Sequence, residues 1–283
     1  MLIGRFAPSP SGRMHLGNIF AAYCSRRSVK DRGGKWILRI EDIDPQRSKY
    51  EFARQIEDDL DWLGLSWDEG GIDGNGPAGP YCQSMRSDFY EDAMNRLSDM
   101  NLTYTCRCRR ADILATQAPH QSDGRIVYAG TCRPAPHPPF PQRDSAGSIR
   151  IFVPDREISF VDRICGPTAV NLADHCGDFV LRRADGAWAY QLAVVVDDAL
   201  MGVTEVMRGD DLLLSAAQQI YLYDLLGYSA PQFAHIPLIL NDRGVRLSKR
   251  DSSVSMESLR RRYSPAALLE LLEQMAADRN IFT

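Results

Sequence analysis

The sequence predicts an α/β fold in which a parallel sheet carries helices on both faces, interrupted by a small inserted α+β domain and finished by a short helical C-terminal segment. Three observations support this. Strand-like apolar runs alternate with helical periods over the first hundred residues, the pattern lapses between residues 101 and 178, and it resumes at "DFVLRR".

Met1 to Phe6 reads as a short buried strand, and Leu16 to Lys30 as a helix with Leu16, Ile19, Phe20 and Tyr23 on one face, stopped by Gly33-Gly34. "KWILRI", residues 35 to 40, follows as a second strand. Ser48 to Leu63 places Phe52, Ile56, Leu60 and Leu63 at helical spacing. Strand, helix, strand, helix is the order of parallel strands joined by crossovers. Gly70 to Pro80 is a glycine-rich loop, and Ser84 is expected to cap a helix reaching about Met100. Residues 101–178 then hold three cysteines, the proline loop "PAPHPPFPQ" and the short strands "SIRIFV" and "EISFVD". The α/β pattern is expected to resume with "DFVLRR", "AYQLAVVVDD", "GVTEVMRGDDLL" and "SAAQQIYLYDLLG", with "HIPLIL" (235–240) as a further strand. Ser264-Pro265 is an N-cap and first-position pair opening a leucine-rich helix. The expected units are 1–100 with 179–240, the insertion 101–178, and 241–283 as a polar loop with a short helical segment.

Bulk properties bound the function. The chain has 283 residues, 44% hydrophobic and 25% charged, a net charge of -4 and a pI near 5.8. Nothing in that balance marks nucleic-acid binding, so a polyanionic partner must meet a local basic surface. No run of about 18 apolar residues exists, so no transmembrane helix and no membrane partner are expected. The start of the chain lacks the apolar stretch of a signal peptide. Seven scattered cysteines without such a signal argue against a disulfide framework. A cytoplasmic monomer is the expectation.

"RFAPSPSGRMHLGN", residues 5 to 18, lies between the first strand and the first helix. Backbone N–H groups at a helix N-terminus face an anion, and Gly12 and Gly17 permit close approach of a polyphosphate. His15 adds a donor there. "RLSKR", residues 246 to 250, offers Lys249 with Arg246 and Arg250 near the other end of the chain. A histidine at a helix mouth and a lysine on a loop would bracket a triphosphate as charge moves onto departing pyrophosphate.

Together, "SGRMHLGN" and "RLSKR" resemble the HIGH and KMSKS motifs of class I aminoacyl-tRNA synthetases. "RFAPSPSG", "LRIEDIDPQR", "YQLAVVVDD" and "RGDDLL" look like the glutamyl branch. The resemblance implies a Rossmann-like catalytic sheet. It implies that Arg5, Ala7 and Ser9 contact L-glutamate, Glu41 pairs with its ammonium, Tyr190 hydrogen-bonds it, and Arg208 pairs with its side-chain carboxylate. His15, Gly17, Asn18, Ser248 and Lys249 would hold ATP with Mg²⁺ on its phosphates, His15 and Lys249 acting in catalysis. The motifs depart from the family pattern at Asn18 and at Arg246, which keeps its charge. The segment from Asp251 to Thr283 is shorter than the roughly 40 residues of an independent domain, so no anticodon-binding domain is expected. The chain resembles truncated glutamyl paralogues that transfer glutamate to queuosine in the anticodon stem-loop of tRNA(Asp). Charging of a tRNA 3′ end, or an inert RNA-binding paralogue, are the alternatives.

"TCRCRR" and "YAGTC" supply Cys106, Cys108, Tyr128 and Cys132, and three cysteines with a fourth ligand suit a structural Zn²⁺. The resemblance gives Tyr128 as that ligand. The spacing from Cys108 to Tyr128 is longer than the family's, so His120 or His137 is an alternative. Cys24, Cys82, Cys165 and Cys176 are expected in the core. Arg107, Arg109, Arg110, Arg125 and Arg133, or the run Arg260 to Arg262, are candidate RNA-phosphate patches. Asp197-Asp198 and Asp210-Asp211 are expected to order loops at the pocket.

Overall fold

The computed structural model describes residues 1–74, 76–109, 127–134, 147–239 and 254–282. Its centre is a five-stranded parallel sheet built from β1 (Ile3–Phe6), β2 (Lys35–Leu38), β3 (Glu69–Gly70), β9 (Glu205–Gly209) and β10 (Gln232–Ile236), in the order β10-β9-β1-β2-β3. The strands are short and apolar, and side chains alternate across them. Trp36, Leu38, Met207 and Ala234 enter one core, while Ile37, Val206 and Phe233 enter the other. Both faces are therefore buried, as expected of a parallel sheet covered by crossover helices.

On the first face pack α1 (Leu16–Lys30), α2 (Tyr50–Trp62) and the C-terminal helices α7 (Met256–Arg262) and α8 (Pro265–Asp278), through Ile19, Phe20, Ile56, Leu60, Leu259, Leu268 and Leu272. On the second pack α3 (Ser87–Asp99), α5 (Tyr190–Leu200) and α6 (Leu213–Leu225), through Tyr90, Leu97, Leu192, Val195 and Leu222. Helix α8 starts as its sequence dictates: the Ser264 hydroxyl accepts from the Ala267 N–H at 3.3 Å, and Pro265 occupies the first turn.

Outside this sheet lie a three-stranded antiparallel sheet of β4 (Thr103–Cys106), β5 (Ser148–Ile151) and β8 (Val180–Arg182), the hairpin β6 (Glu157–Asp162) with β7 (Gly166–Asn171), and the single turn α4 (Leu172–His175). Four expectations change here. "DFVLRR" does not rejoin the parallel sheet, because β8 pairs antiparallel with β5. The last parallel strand runs Gln232–Ile236, starting before "HIPLIL" and sharing only His235 and Ile236 with it, since Pro237 has no N–H to continue the ladder. Ser84 does not cap α3; its hydroxyl and N–H both bond the Asp42 carboxylate, and the helix begins at Ser87 after a 3₁₀ turn at Gln83–Met85. Cys24 and Cys82 are buried as expected, but Cys165 is exposed and Cys176 half-buried.

The strand order fixes where a ligand can sit. The chain leaves β1 toward β2 and β3 on one side, and returns to β9 and β10 on the other. Crossovers on opposite sides of β1 and β9 leave a crevice at their carboxyl ends, the usual ligand position in open α/β sheets.

Candidate active site

A cleft of about 970 Å³ opens at that crevice. It is lined by Arg5, Ala7, Ser9, His15, Gly17, Asn18, Glu41, Tyr190 and Arg208, so these nine sequence-predicted residues share one site. Ser248 and Lys249 lie outside the described residues. The residues flanking their segment are informative: Ile239 lines the cleft, and Ser255 forms a β-bridge with His15, supported by a bond from the Met256 N–H to the Met14 carbonyl at 2.9 Å.

His15 caps α1. Its Nδ1 accepts from the Gly17 N–H at 3.1 Å, while the Asn18 side-chain oxygen accepts from the His15 N–H at 3.1 Å, a reciprocal capping box. An accepting Nδ1 leaves the ring proton of neutral His15 on Nε2. A Cβ at Gly17 would come within 3.1 Å of the His15 ring, so any side chain there would press that ring away from its capping position. Asn18 is therefore built into the helix start.

Arg5 lies near the end of β1, Glu41 follows β2, and Arg208 lies near the end of β9. All three are nearly buried, at 4%, 7% and 6% exposed. Arg39 and Asp198 hold the first two in place: Arg39 donates to Asp198 at 2.6 Å and Glu41 at 3.2 Å, and Arg5 donates to Asp198 at 3.3 Å. Burial raises the Glu41 carboxyl above its ordinary range despite Arg39 and Arg5. Burial acts the same way on Asp198, but Arg39 and Arg5 outweigh it and hold that carboxyl below its usual range.

Asp197 beside it accepts from Arg86 at 2.6 Å, Gln83 at 2.7 Å and Tyr90 at 3.0 Å. Asp197 and Asp198 thus sit buried on α5 and anchor arginines beneath the cleft, rather than ordering loops around it. Asp211 does line the cleft.

Arg208 is different. Its Nε donates to His235 Nε2 at 3.0 Å, and its two terminal nitrogens donate to the Tyr190 hydroxyl at 3.4 Å and the Leu212 carbonyl at 3.3 Å. It makes no ion pair among the described residues. Burial, followed in size by Tyr190 acting in the opposite sense, leaves its pKa below the ordinary arginine value. Among the described residues three of its five guanidinium N–H groups find acceptors, which leaves two donors and a desolvated positive charge at the cleft. A buried charge without a counter-ion is costly, so this site is suited to an anionic ligand group.

Asp162 and His235 carry no motif that marks them in the sequence, and Arg39 lies inside "LRIEDIDPQR" without a role assigned to it. Arg39 is legible in retrospect as a charge inside "WILRI". His235 gives no such signal, because a lone histidine in an apolar strand is ordinary.

A second cluster lies on the antiparallel sheet. The sulfurs of Cys106, Cys108 and Cys132 lie within 4.8 Å of one another, Cys106 Sγ is 3.4 Å from the Tyr128 hydroxyl, and Cys108 and Cys132 Sγ are 3.4 Å apart. Burial raises the Cys106 thiol, but hydrogen bonds from Tyr128 and Arg150 prevail and bring it down to about 7. Three soft sulfur donors and one oxygen converging at these separations fit the tetrahedral shell of a zinc ion. His120 and His137 lie outside the described residues, as do Arg110 and Arg125. Of the basic patches, Arg133 pairs with Asp178 at 3.5 Å, and Arg260 is taken up by Asp58 and Asp59. Arg261 pairs with Glu257 and Arg262 lies over the Tyr263 ring, so the C-terminal run is engaged within the chain.

A family model of class I tRNA synthetases (E and Q), catalytic domain, matches residues 1–281, and the chain belongs to that family. Among its relatives, the glutamyl-Q tRNA(Asp) synthetase of Symbiobacterium thermophilum is 50% identical over 266 residues, covering 92% of this chain and 81% of the relative. The protein of the same name from Nitratidesulfovibrio vulgaris is 44% identical over 271 residues, covering 94% and 83%. The solved glutamate-tRNA synthetase of Elizabethkingia anophelis superposes with a TM-score of 0.76 at 34% identity, covering 89% of this chain and 53% of that one. The glutamate tRNA ligase of Elizabethkingia meningosepticum, solved with its amino acid, gives 0.76 and 34%, covering 89% and 52%. The chain therefore spans about half the length of these two structures.

Proposed function

We propose that this protein activates L-glutamate with ATP and transfers it to queuosine in the anticodon of tRNA(Asp). The single observation that carries the first half is Arg208: a buried guanidinium, unpaired with any described carboxylate, facing the same cleft as Glu41. Glutamate brings one carboxylate more than a neutral amino acid, and it needs one fixed cation and one fixed anion. Arg208 and Tyr190 take its side-chain carboxylate, Glu41 its ammonium, and Arg5, Ala7 and Ser9 surround its backbone end.

ATP occupies the α1 end of the cleft, with His15 and Gly17 at its phosphates and Asn18 fixing the turn. Ser248 and Lys249 are assigned to the pyrophosphate, supported by the bridge from Ser255 to His15. The glutamate α-carboxylate attacks the α-phosphorus, the bond to the bridging oxygen breaks, and glutamyl-adenylate and pyrophosphate result. Mg²⁺ would neutralise the phosphates. A hydroxyl of the queuosine ring then attacks the mixed anhydride and AMP departs with the bonding electrons. Both steps rest on positioning and charge stabilisation rather than on a protein nucleophile.

The acceptor is supported by the names of relatives 44–50% identical to the chain. Cys106, Cys108, Cys132 and Tyr128 would hold a structural zinc ion, stapling β4 to the segment before β5. The protein works as a monomer in the cytoplasm; no described helix is long and apolar enough to cross a membrane.

The test is twofold. Glutamate-dependent ATP–pyrophosphate exchange without RNA should be measurable, and tRNA(Asp) carrying queuosine should accept glutamate while tRNA(Asp) lacking it, and tRNA(Glu), should not. Equal charging of unmodified tRNA(Asp) would refute the acceptor. Absence of exchange would favour an inert paralogue.

A further inference from the structure

We infer that Asp162 and His235 are positioning residues for the glutamate pocket: they fix which ring nitrogen of His235 accepts from Arg208, and so hold the Arg208 guanidinium where a side-chain carboxylate meets it. The inference rests on the proposed glutamate specificity.

Asp162, His235 and Arg208 form one line of contacts. Asp162 ends β6, outside the parallel sheet, yet its side chain is buried against β10. Its Oδ1 accepts from the N–H groups of Ile164, Cys165 and His235 at 3.0, 2.9 and 3.1 Å. Its Oδ2 lies 2.6 Å from His235 Nδ1. His235 is 0% exposed, and its Nε2 accepts from Arg208 Nε at 3.0 Å. An arginine Nε–H can only donate, so His235 Nε2 must be the unprotonated nitrogen and the proton must sit on Nδ1, facing Asp162. Asp162, an acceptor at both oxygens, enforces that tautomer.

Among the described residues, three protein atoms then hold Arg208: His235 Nε2, the Tyr190 hydroxyl and the Leu212 carbonyl. The His235 bond is the shortest of the three, and it lies at the Nε root of the planar fork. A hairpin outside the catalytic sheet thereby sets the aim of the cation that reads the substrate.

Asp162→Asn tests this with almost no change in volume. The asparagine oxygen must stay with the three backbone N–H groups, which turns its NH₂ toward His235 Nδ1. Nδ1 then becomes the acceptor and the ring proton moves to Nε2, where it opposes the Arg208 N–H. His235→Asn should keep the contact to Asp162 but leave Arg208 Nε without its acceptor, and His235→Gln should restore an acceptor near the Nε2 position.

In ATP–pyrophosphate exchange, Asp162→Asn and His235→Asn should raise the KM for glutamate roughly 10- to 100-fold, the scale of losing a hydrogen bond to a charged group. The KM for ATP and kcat should hold within about twofold. His235→Gln should recover most of the loss. ¹⁵N shifts of the His235 ring without substrate should show a protonated Nδ1 in the unaltered protein and a protonated Nε2 in Asp162→Asn. Exchange insensitive to both variants, an equal fall in ATP affinity, or a protonated Nε2 in the unaltered protein would overturn this role. No exchange with glutamate in the unaltered protein would overturn the proposed function, and this role with it.

Discussion

Arg208 and Arg39 are both arginines with buried guanidiniums, and their surroundings give them different tasks. Arg39 is enclosed by Asp198, Glu41 and Asp197 at 2.6, 3.2 and 3.7 Å, so its charge is satisfied within the protein. Removing it as Arg39→Met leaves Asp198 and Glu41 buried with less compensation, which should cost about 3–5 kcal/mol of stability in urea unfolding. Arg208 has hydrogen bonds but no described carboxylate within ion-pair distance, and in the proposed reading a ligand carboxylate completes its charge. Arg208→Gln should leave the unfolding midpoint nearly unchanged, or raise it. The same change should weaken glutamate use in exchange by about 100-fold or more, because the partner carboxylate is left buried and unpaired. A variant equally damaged in folding would contradict this division of roles. Arg208 and Glu41 were named from the sequence through the motifs that resemble the family; as charges ending apolar runs alone they would equally have read as residues meeting solvent. Their support was not, since Asp162 meets His235 only through tertiary packing.

At the scale of elements, local chemistry set the boundaries better than it set the partners. The helix from Leu16 to Lys30 stands as read, because its period, His15 cap and Gly33-Gly34 stop all act within a few residues. Strand β8 has an equally strand-like sequence, but nothing in it distinguishes a parallel neighbour from the antiparallel β5 it takes. The cysteine cluster ties this antiparallel sheet to the Tyr128 segment. Purified protein should contain about one zinc per chain, and chelation or Cys106→Ser should remove it. The loss should destabilise β4, β5 and β8 in hydrogen exchange while glutamate-dependent exchange of pyrophosphate persists, because no cysteine of the cluster lines the cleft. Retained zinc in the Cys106→Ser protein would contradict the ligand set. At the other end of the chain, Ser264→Ala should cost about 1 kcal/mol by removing the cap of α8, read as a lowered unfolding midpoint.

Across the whole molecule, the strand order β10-β9-β1-β2-β3 brings Arg5, Glu41 and Arg208 to one crevice although Arg5 and Arg208 lie about two hundred residues apart in sequence. That convergence was readable only through the resemblance of motifs, not from periodicity. The same network gives stability a pH dependence of definite sign. Burial, joined by the nearby Arg208 charge, lowers the His235 pKa despite Asp162. The unfolded chain therefore binds its proton first, and stability should begin to fall as pH drops below about 6.5, the ordinary histidine value. Asp162 and Asp198 have lowered carboxyl pKa values, so the stability they contribute is complete above the usual carboxylate range and is lost progressively as pH falls from that range toward their lowered values. Glu41, with a raised pKa, acts in the opposite sense above about pH 4.3. Urea midpoints at about pH 7.5, 6.5 and 5.5 should decline for the unaltered protein and flatten for His235→Asn; a midpoint rising toward acid would contradict the assignment.

The most direct measurement is a crystal structure with a non-hydrolysable glutamyl-adenylate analogue. Its side-chain carboxylate should lie within hydrogen-bond distance of Arg208 and Tyr190, its ammonium against Glu41, and its phosphate at the His15 turn. An analogue bound in reverse, with its side chain away from Arg208, or bound outside this cleft, would contradict the account.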